Sequence, residues 1–455
     1  MFEEQLTGNT KTISSTPVTP SPITFGTDLR DIPKYDFENT PIVDIVNDII
    51  VDAIKRNASD IHFDPYEEGI QIRIRIDGDL HNYIVVPLVM KKNMITRVKI
   101  MSNMNITESR LPQDGAIKGA IEGIEVDLRV SCLPTNMGEK LVVRILDYSM
   151  SSAGLENLGF TKENYDIVSR MIRIPNGIIL VTGATGSGKS TTVYAMLQRL
   201  NTENRNLITV EDPIEMNIDG INQVQVNSDI GMTFASALRS ILRQDPDIIM
   251  IGEIRDSETA RIAVRSAITG HLVLSTIHTN DSLNTIERLL DMDVERYLLG
   301  AAISGIISQK LARKLCTHCR RLRPTTDYEK TVFKSSLGLD VNEIYESRGC
   351  SECTMGYKGR IPIHEVLFIN QDIKDAISAG TSKAELRELV FKGKSEINTM
   401  LQDGLRKVLA GETSMDEIMR LIQLDDEKMN SFEELGINTM QNEKKDETEM
   451  ETFTF

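Results

Sequence analysis

From Pro41 onward the chain switches between two hydrophobic periods. PIVDIVNDIIVDAIKR (41–56) repeats apolar residues at helical spacing and closes on basic residues that suit a helix C-terminus. GIQIRIRIDG (69–78) then alternates strictly, with Ile70, Ile72, Ile74 and Ile76 on one face and Gln71, Arg73 and Arg75 on the other. Asp77-Gly78 reads as a turn. A second helix is predicted near 89–104, and shorter strands at 116–122, 124–132 and 140–146. These elements make an α+β domain over 37–147. A connector over 148–160 follows, and from 161 to 312 apolar strands alternate with amphipathic helices. That alternation predicts an α/β domain with helices on both faces of its sheet. Residues 313–365 carry the cysteines, and 366–424 hold short amphipathic helices such as SKAELRELVFKG and MDEIMRLIQL.

The two ends differ from this pattern. Residues 8–36 are rich in Thr, Ser and Pro and cannot bury much surface, and 1–36 are expected to be a linker or disordered arm. The start, MFEEQLTGNTKT, is acidic and has no apolar run, which argues against a secretory signal and for a cytoplasmic location. No run of 18 apolar residues occurs, so no membrane-spanning helix is expected. The segment 425–455 holds ten acidic residues and three lysines, a net of −7 out of −16 for the whole chain, and is expected to be a mobile tail. This charge is opposite to that of a nucleic-acid binder, although it leaves room for local basic patches.

Candidate chemistry begins at Gly183-Ala184-Thr185-Gly186-Ser187-Gly188-Lys189-Ser190, which fits GxxxxGK[ST] and continues into Thr191. Glycines at these positions let successive backbone N–H groups point at phosphate oxygens. Lys189 adds a charge near the β- and γ-phosphates, and the Ser190 hydroxyl is a hard ligand for Mg²⁺. The apolar IILV before the loop and the helical STTVYAMLQRL after it supply the strand and the helix N-terminus that this chemistry needs. ATP binding and hydrolysis are therefore expected.

Three further apolar runs end in polar groups. NLITV leads to Glu211, DIIMI to Glu253 through Gly252, and LVLST to His278 through Ile277. Ligands of open α/β sheets sit beyond the carboxyl ends of the strands, so all four ends are expected to converge on one nucleotide. Glu253 stands where a Mg²⁺-holding acid is required, and its extra methylene relative to Asp favours contact through water. Glu211 is the candidate for orienting and deprotonating the attacking water, and His278 for contacting the γ-phosphate. Helix capping is the alternative role for either carboxylate.

Four of the five cysteines pair as Cys316/Cys319 and Cys350/Cys353, with 30 residues between the pairs, while Cys132 stands alone in an apolar stretch. Two CxxC pairs suit tetrahedral Zn²⁺ in a closed, structural site that staples an excursion too small to hold itself together. His318, inside the first pair, is a competing ligand. The basic flanks KLARKLC and CRRLR suit a solvated face, or alternatively a membrane surface or partner.

The combined motifs resemble the assembly ATPases of type II secretion and type IV pilus systems. The matching stretches are ASDIHFDP (58–65), RIRIDGDL (73–80), RLPQDGAI (110–117), GATGSGKSTT (183–192), ITVEDPIE (208–215), RQDPDIIMIGEIRD (243–256), TGHLVLSTIHTND (269–281) and GYKGRIPIHEVL (356–367). The resemblance covers about 40–420 and implies a PAS-like domain joined to a RecA-like motor in a homo-hexameric ring, with ATP bound between the domains. It implies that Glu211 is the general base, that Glu253 helps hold Mg²⁺, and that His271 and His278 belong to a phosphate-sensing segment. It also implies that Arg129, Arg144, Arg239 and Arg243 approach the phosphates as the domains close, where guanidinium groups offset charge on the transferring phosphoryl. Arg73 and Arg75 equally suit a solvated sheet face.

The implied partners are an inner-membrane platform protein and a cytoplasmic docking protein, with only peripheral membrane association and no nucleic acid. A tetracysteine insert marks the extension and secretion members, and retraction ATPases generally lack it, so an assembly motor is expected. Secretion members usually carry a further N-terminal docking domain. Here only about 36 residues precede the PAS-like domain, so docking is expected to use this arm or another surface. Two other readings compete with the assembly motor. A DNA-uptake or nucleic-acid-translocating motor with a zinc ribbon is opposed by the acidic charge. A regulatory nucleotide-binding module is opposed by Lys189, Glu211 and Glu253 occurring together.

Overall fold

The computed structural model describes residues 34–146, 154–392 and 397–423. Nearly all of the expected arm, the first half of the connector and the acidic tail lie outside the described residues. The chain divides into two compact units, Met1–Leu146 and Asp147–Phe455.

The first unit contains α1 (Ile42–Lys55), β1 (Ala58–Tyr66), β2 (Gly69–Ile76), β3 (Asp79–Pro87), α2 (Leu88–Met101), β4 (Gln113–Ile121), β5 (Ile124–Thr135) and β6 (Gly138–Ile145). Its antiparallel sheet has the order β3-β2-β1-β6-β5-β4. The four isoleucines of β2 are buried against α1 and α2, as the alternation requires. Asp77 and Gly78 both have positive φ, 50° and 97°, the backbone of a two-residue hairpin turn. The opposite face is charged. There Asp64 pairs with Arg73 at 2.7 Å and with Lys140, and Asp60 pairs with Arg144 at 3.0 Å and Arg75 at 3.8 Å. Two strands, β1 and β3, were not predicted. ASDIHFDPY and DLHNYIVVP carry Asp, His and Pro between their apolar residues, which masks their period.

The second unit opens with α3 (Lys162–Met171), β7 (Gly177–Thr182), α4 (Lys189–Leu200), β8 (Leu207–Glu211), β9 (Asn222–Gln225) and α5 (Phe234–Ile241). It continues with β10 (Ile248–Ile251), α6 (Ser257–Ile268), β11 (Leu272–Ile277), α7 (Ser282–Asp291), α8 (Arg296–Ala302) and β12 (Ile303–Leu315). Then come β13 (Arg321–Pro324), α9 (Asp327–Leu337), β14 (Glu343–Glu346) and β15 (Tyr357–Phe368). The unit closes with α10 (Gln371–Ala379), α11 (Lys383–Lys392), β16 (Ile397–Asn398), α12 (Met400–Leu409) and α13 (Met415–Gln423).

An eight-stranded sheet, ordered β16-β15-β12-β7-β11-β10-β8-β9, forms the core of this unit. The run from β12 to β9 is parallel, and β15 and β16 are added antiparallel. One face packs on α5 to α8, α10 and α11, the other on α3 and α4. Both faces are buried, so the central strands read as continuous apolar runs. The expected limits of the cysteine segment, 313 and 365, both fall inside strands. β12 runs through Leu315, and β15 pairs back along it from Tyr357 to Phe368. Among the described residues no helix is long and apolar enough to cross a membrane.

Candidate active site

The loop between β7 and α4 is shaped by its glycines. Gly183 has φ +150°, and a Cβ there would lie 2.4 Å from the Gln309 carbonyl oxygen and 2.5 Å from Ser187 Oγ. Gly186 and Gly188 are left-handed at φ +78° and +87°. Gly188 caps α4 without a side-chain hydrogen bond, and the first turn of α4 holds no acidic residue. The helix therefore presents free N–H groups and positive potential to an anion. Lys189 Nζ donates to the carbonyls of Gly183 at 2.9 Å and Ala184 at 3.0 Å, which holds the ammonium over the loop. Burial pushes Lys189 below the usual lysine range, and the neighbouring Glu253 carboxylate opposes the shift. Ala184, Thr185, Gly186 and Ser190 are exposed at the mouth, whereas the Ser187 hydroxyl is buried with no hydrogen-bond partner.

The other three strand ends lie on the same edge, because β7, β11, β10 and β8 are consecutive parallel neighbours. His278 Nε2 lies 3.3 Å from Glu253 Oε2 without the geometry of a hydrogen bond, and Arg255 contacts the other Glu253 oxygen. Thr182, at the end of β7, donates to the Thr279 carbonyl at 2.6 Å, which ties the loop's strand to the segment carrying His278. Glu211 is only 3 % exposed. It accepts from Thr209 at 2.6 Å and Gln223 at 3.0 Å, and from the Tyr194 hydroxyl on α4. Burial and the Glu211 carboxylate push the Tyr194 hydroxyl up, so it remains a donor.

One expected residue of this unit lies at the other end of the sheet. His271 precedes β11, at the end opposite His278. Six strand residues separate the two, roughly 20 Å at strand rise, and the His271 ring is held 2.9 Å from the Ser266 carbonyl. Within one chain His271 is therefore not part of the edge where the loop lies, contrary to its expected place beside the nucleotide. Arg239, on α5, pairs with Glu258 at the start of α6. Arg243 donates to the Arg239 carbonyl at 2.7 Å and the Ser240 hydroxyl at 3.2 Å. Arg129 and Arg144 face each other across the β5–β6 ladder in the first unit.

Three contributors, Gln309, Tyr194 and Gln223, carry no signal in the sequence. Gln309, on β12, is 1 % exposed, donates to the Ser187 carbonyl at 2.7 Å and accepts from Thr192 at 2.8 Å. A single Gln inside an apolar strand gives no sequence signal. Nor do Tyr194 and Gln223, which reach Glu211 only through the fold.

A second centre lies just beyond β12. Sγ–Sγ distances are 3.9 Å for Cys316–Cys350, 3.7 Å for Cys319–Cys353 and 3.6 Å for Cys350–Cys353, and all four sulfurs lie within 4.8 Å of one another. Thiolates about 2.3 Å from a tetrahedral ion are about 3.8 Å apart, so the set fits zinc. His318 is exposed and is not one of the four clustered ligands, although its side chain hydrogen-bonds Cys316. Cys132 is buried in the first unit, where desolvation and Glu139 push its thiol up to about 12.

The family model for "Type II/IV secretion system protein" matches residues 36–420. The chain belongs to the type II/IV secretion system protein family. Type II secretion system protein E of Aeromonas hydrophila is 43% identical over 389 residues, which cover 85% of this chain and 77% of that protein. The type IV pilus assembly ATPase PilB of Myxococcus xanthus is 45% identical over 387 residues, covering 84% and 68%. Among solved structures, the pilus retraction motor PilT with bound ADP aligns at a TM-score of 0.57 and 27% identity, over 82% of this chain and 96% of that one. This member of the family is thus a P-loop ATPase, with an α+β unit ahead of an α/β motor unit.

Proposed function

We propose that this chain is the cytoplasmic motor that drives assembly of a type IV pilus or a type II secretion pseudopilus. The observation that carries the reading is the shared edge of β7, β11, β10 and β8, which gathers the phosphate loop, Glu211, Glu253 and His278. Backbone N–H groups of 183–191 receive the phosphates, and Lys189 exchanges its loop carbonyls for phosphate oxygens. Ser190 and Glu253 would hold Mg²⁺, which offsets charge on the transferring phosphoryl group. Glu211 is the general base. To act, it gives up one of its three donors in favour of the attacking water. His278, already beside Glu253, reports the γ-phosphate. Arg129 and Arg144 supply positive charge from the first unit, and Arg239 and Arg243 from the second.

In this reading the chain works as a homo-hexamer at the inner membrane, held there by a platform protein and a cytoplasmic docking protein. The four cysteines hold a structural zinc. They support an assembly motor, because the resemblance ties this insert to extension and secretion members. Cells lacking the chain and complemented with it should regain surface fibres or secretion, while Lys189→Ala should restore neither. Full restoration by Lys189→Ala would sink the motor reading.

A further inference from the structure

Gln309 uses both ends of its amide on the phosphate loop. Nε2 donates to the Ser187 carbonyl at 2.7 Å, and Oε1 accepts from the Thr192 hydroxyl, one turn into α4, at 2.8 Å. The carbonyl is an acceptor only, so the amide has one orientation that satisfies both contacts. A trans peptide is planar, with its C=O and N–H pointing in opposite directions. Holding the Ser187 carbonyl against β12 therefore aims the Gly188 N–H away from β12. The close fit extends to the glycines. A Cβ on Gly183 would strike the Gln309 carbonyl oxygen at 2.4 Å, and one on Gly188 would approach Gln309 Nε2 at 3.1 Å. Thr192 and Gln309 are both buried, so no water substitutes readily for either bond.

We propose that Gln309 is a positioning residue that presets the phosphate loop for nucleotide by fixing the Ser187–Gly188 peptide. The proposal rests on the reading of this loop as the nucleotide site. Gln309 does not touch the reacting atoms and acts only through the loop backbone. Its removal should weaken nucleotide binding more than it slows the bound enzyme.

The test uses the full chain, with Kd for a fluorescent ATP analogue and KM and kcat for Mg·ATP. Gln309→Met keeps the volume and removes both bonds. It should raise Kd and KM about tenfold, the scale of one or two buried hydrogen bonds, and change kcat less. Gln309→Glu keeps the acceptor for Thr192 but sets an oxygen against the Ser187 carbonyl, and should be at least as weak. Thr192→Val should shift Kd in the same direction by less. Ser308→Ala, one position along the same strand, should leave Kd unchanged. Wild-type Kd in Gln309→Met, or an equal loss in Ser308→Ala, would overturn the assignment. Lys189→Ala separates the two ideas: if it too binds and turns over ATP normally, the site reading fails, whereas failure of Gln309→Met alone rejects only the positioning role.

Discussion

His364 on β15 is fully buried, neither ring nitrogen has a hydrogen-bond partner, and the ring stacks on Phe160 at 3.9 Å. Burial, and secondarily the Lys407 ammonium, holds its pKa well below the usual 6.5. Below about 6.5 the unfolded chain binds a proton that the folded chain refuses, so this contribution to stability is complete above that pH and is lost as pH falls, by up to about 1.4 kcal/mol per unit. His364→Leu should therefore lose less urea resistance than wild type between pH 7.5 and 5.5. Equal losses would show that the ring does not govern acid sensitivity. This burial is not legible in the sequence, because one His among RIPIHEVL has no period of its own. Legibility at this scale follows chemistry. The loop 183–190 is readable because phosphate binding demands glycines at fixed spacing, and the cysteines because thiolate ligands come in close pairs. Gln309, Tyr194 and Gln223 act across distances that only the sheet creates.

At the level of elements, β12 and β15 form the longest ladder of the second unit, and the cysteine module grows from it. Leu315 ends β12, Cys316 follows directly, β13, α9 and β14 lie between the two cysteine pairs, and the second pair leads into β15. Val332, Phe333 and Ile344 of the module pack into a core shared with β12, β15, α12 and α13. Replacing Cys350 and Cys353 with Ser should release about one zinc per chain and expose 316–356 to protease while the parallel sheet persists. A wild-type chain that carries no zinc would refute the metal assignment. Element boundaries were legible where alternation was clean, as in β2, and illegible where polar residues interrupt it, as in β1 and β3. The limits at 313 and 365 missed because the cysteine spacing marks the metal site, whereas both strands continue past it into the main sheet.

For the whole molecule, the question is whether ATP turnover draws on both units. Arg144 is 58 % exposed on its side chain, and its buried partner Asp60 keeps Arg75 at 3.8 Å and the Ser59 hydroxyl at 2.8 Å without it. Arg144→Ala should then leave the unfolding midpoint nearly unchanged and lower ATP turnover at least tenfold if the first unit supplies charge to the phosphoryl group. Parallel losses of stability and turnover would make it a structural ion pair. The division into an α+β and an α/β unit was legible from the change of hydrophobic period, whereas the pairing of Asp60 and Asp64 with these basic side chains depends on strand register. Turnover depends on hydrolysis at one loop, and Mg²⁺-dependent phosphate release by the full chain measures it directly. Wild type should release phosphate steadily, and Lys189→Ala, folded and with its zinc retained, should release none above background. Unchanged release from Lys189→Ala would place hydrolysis elsewhere than this loop.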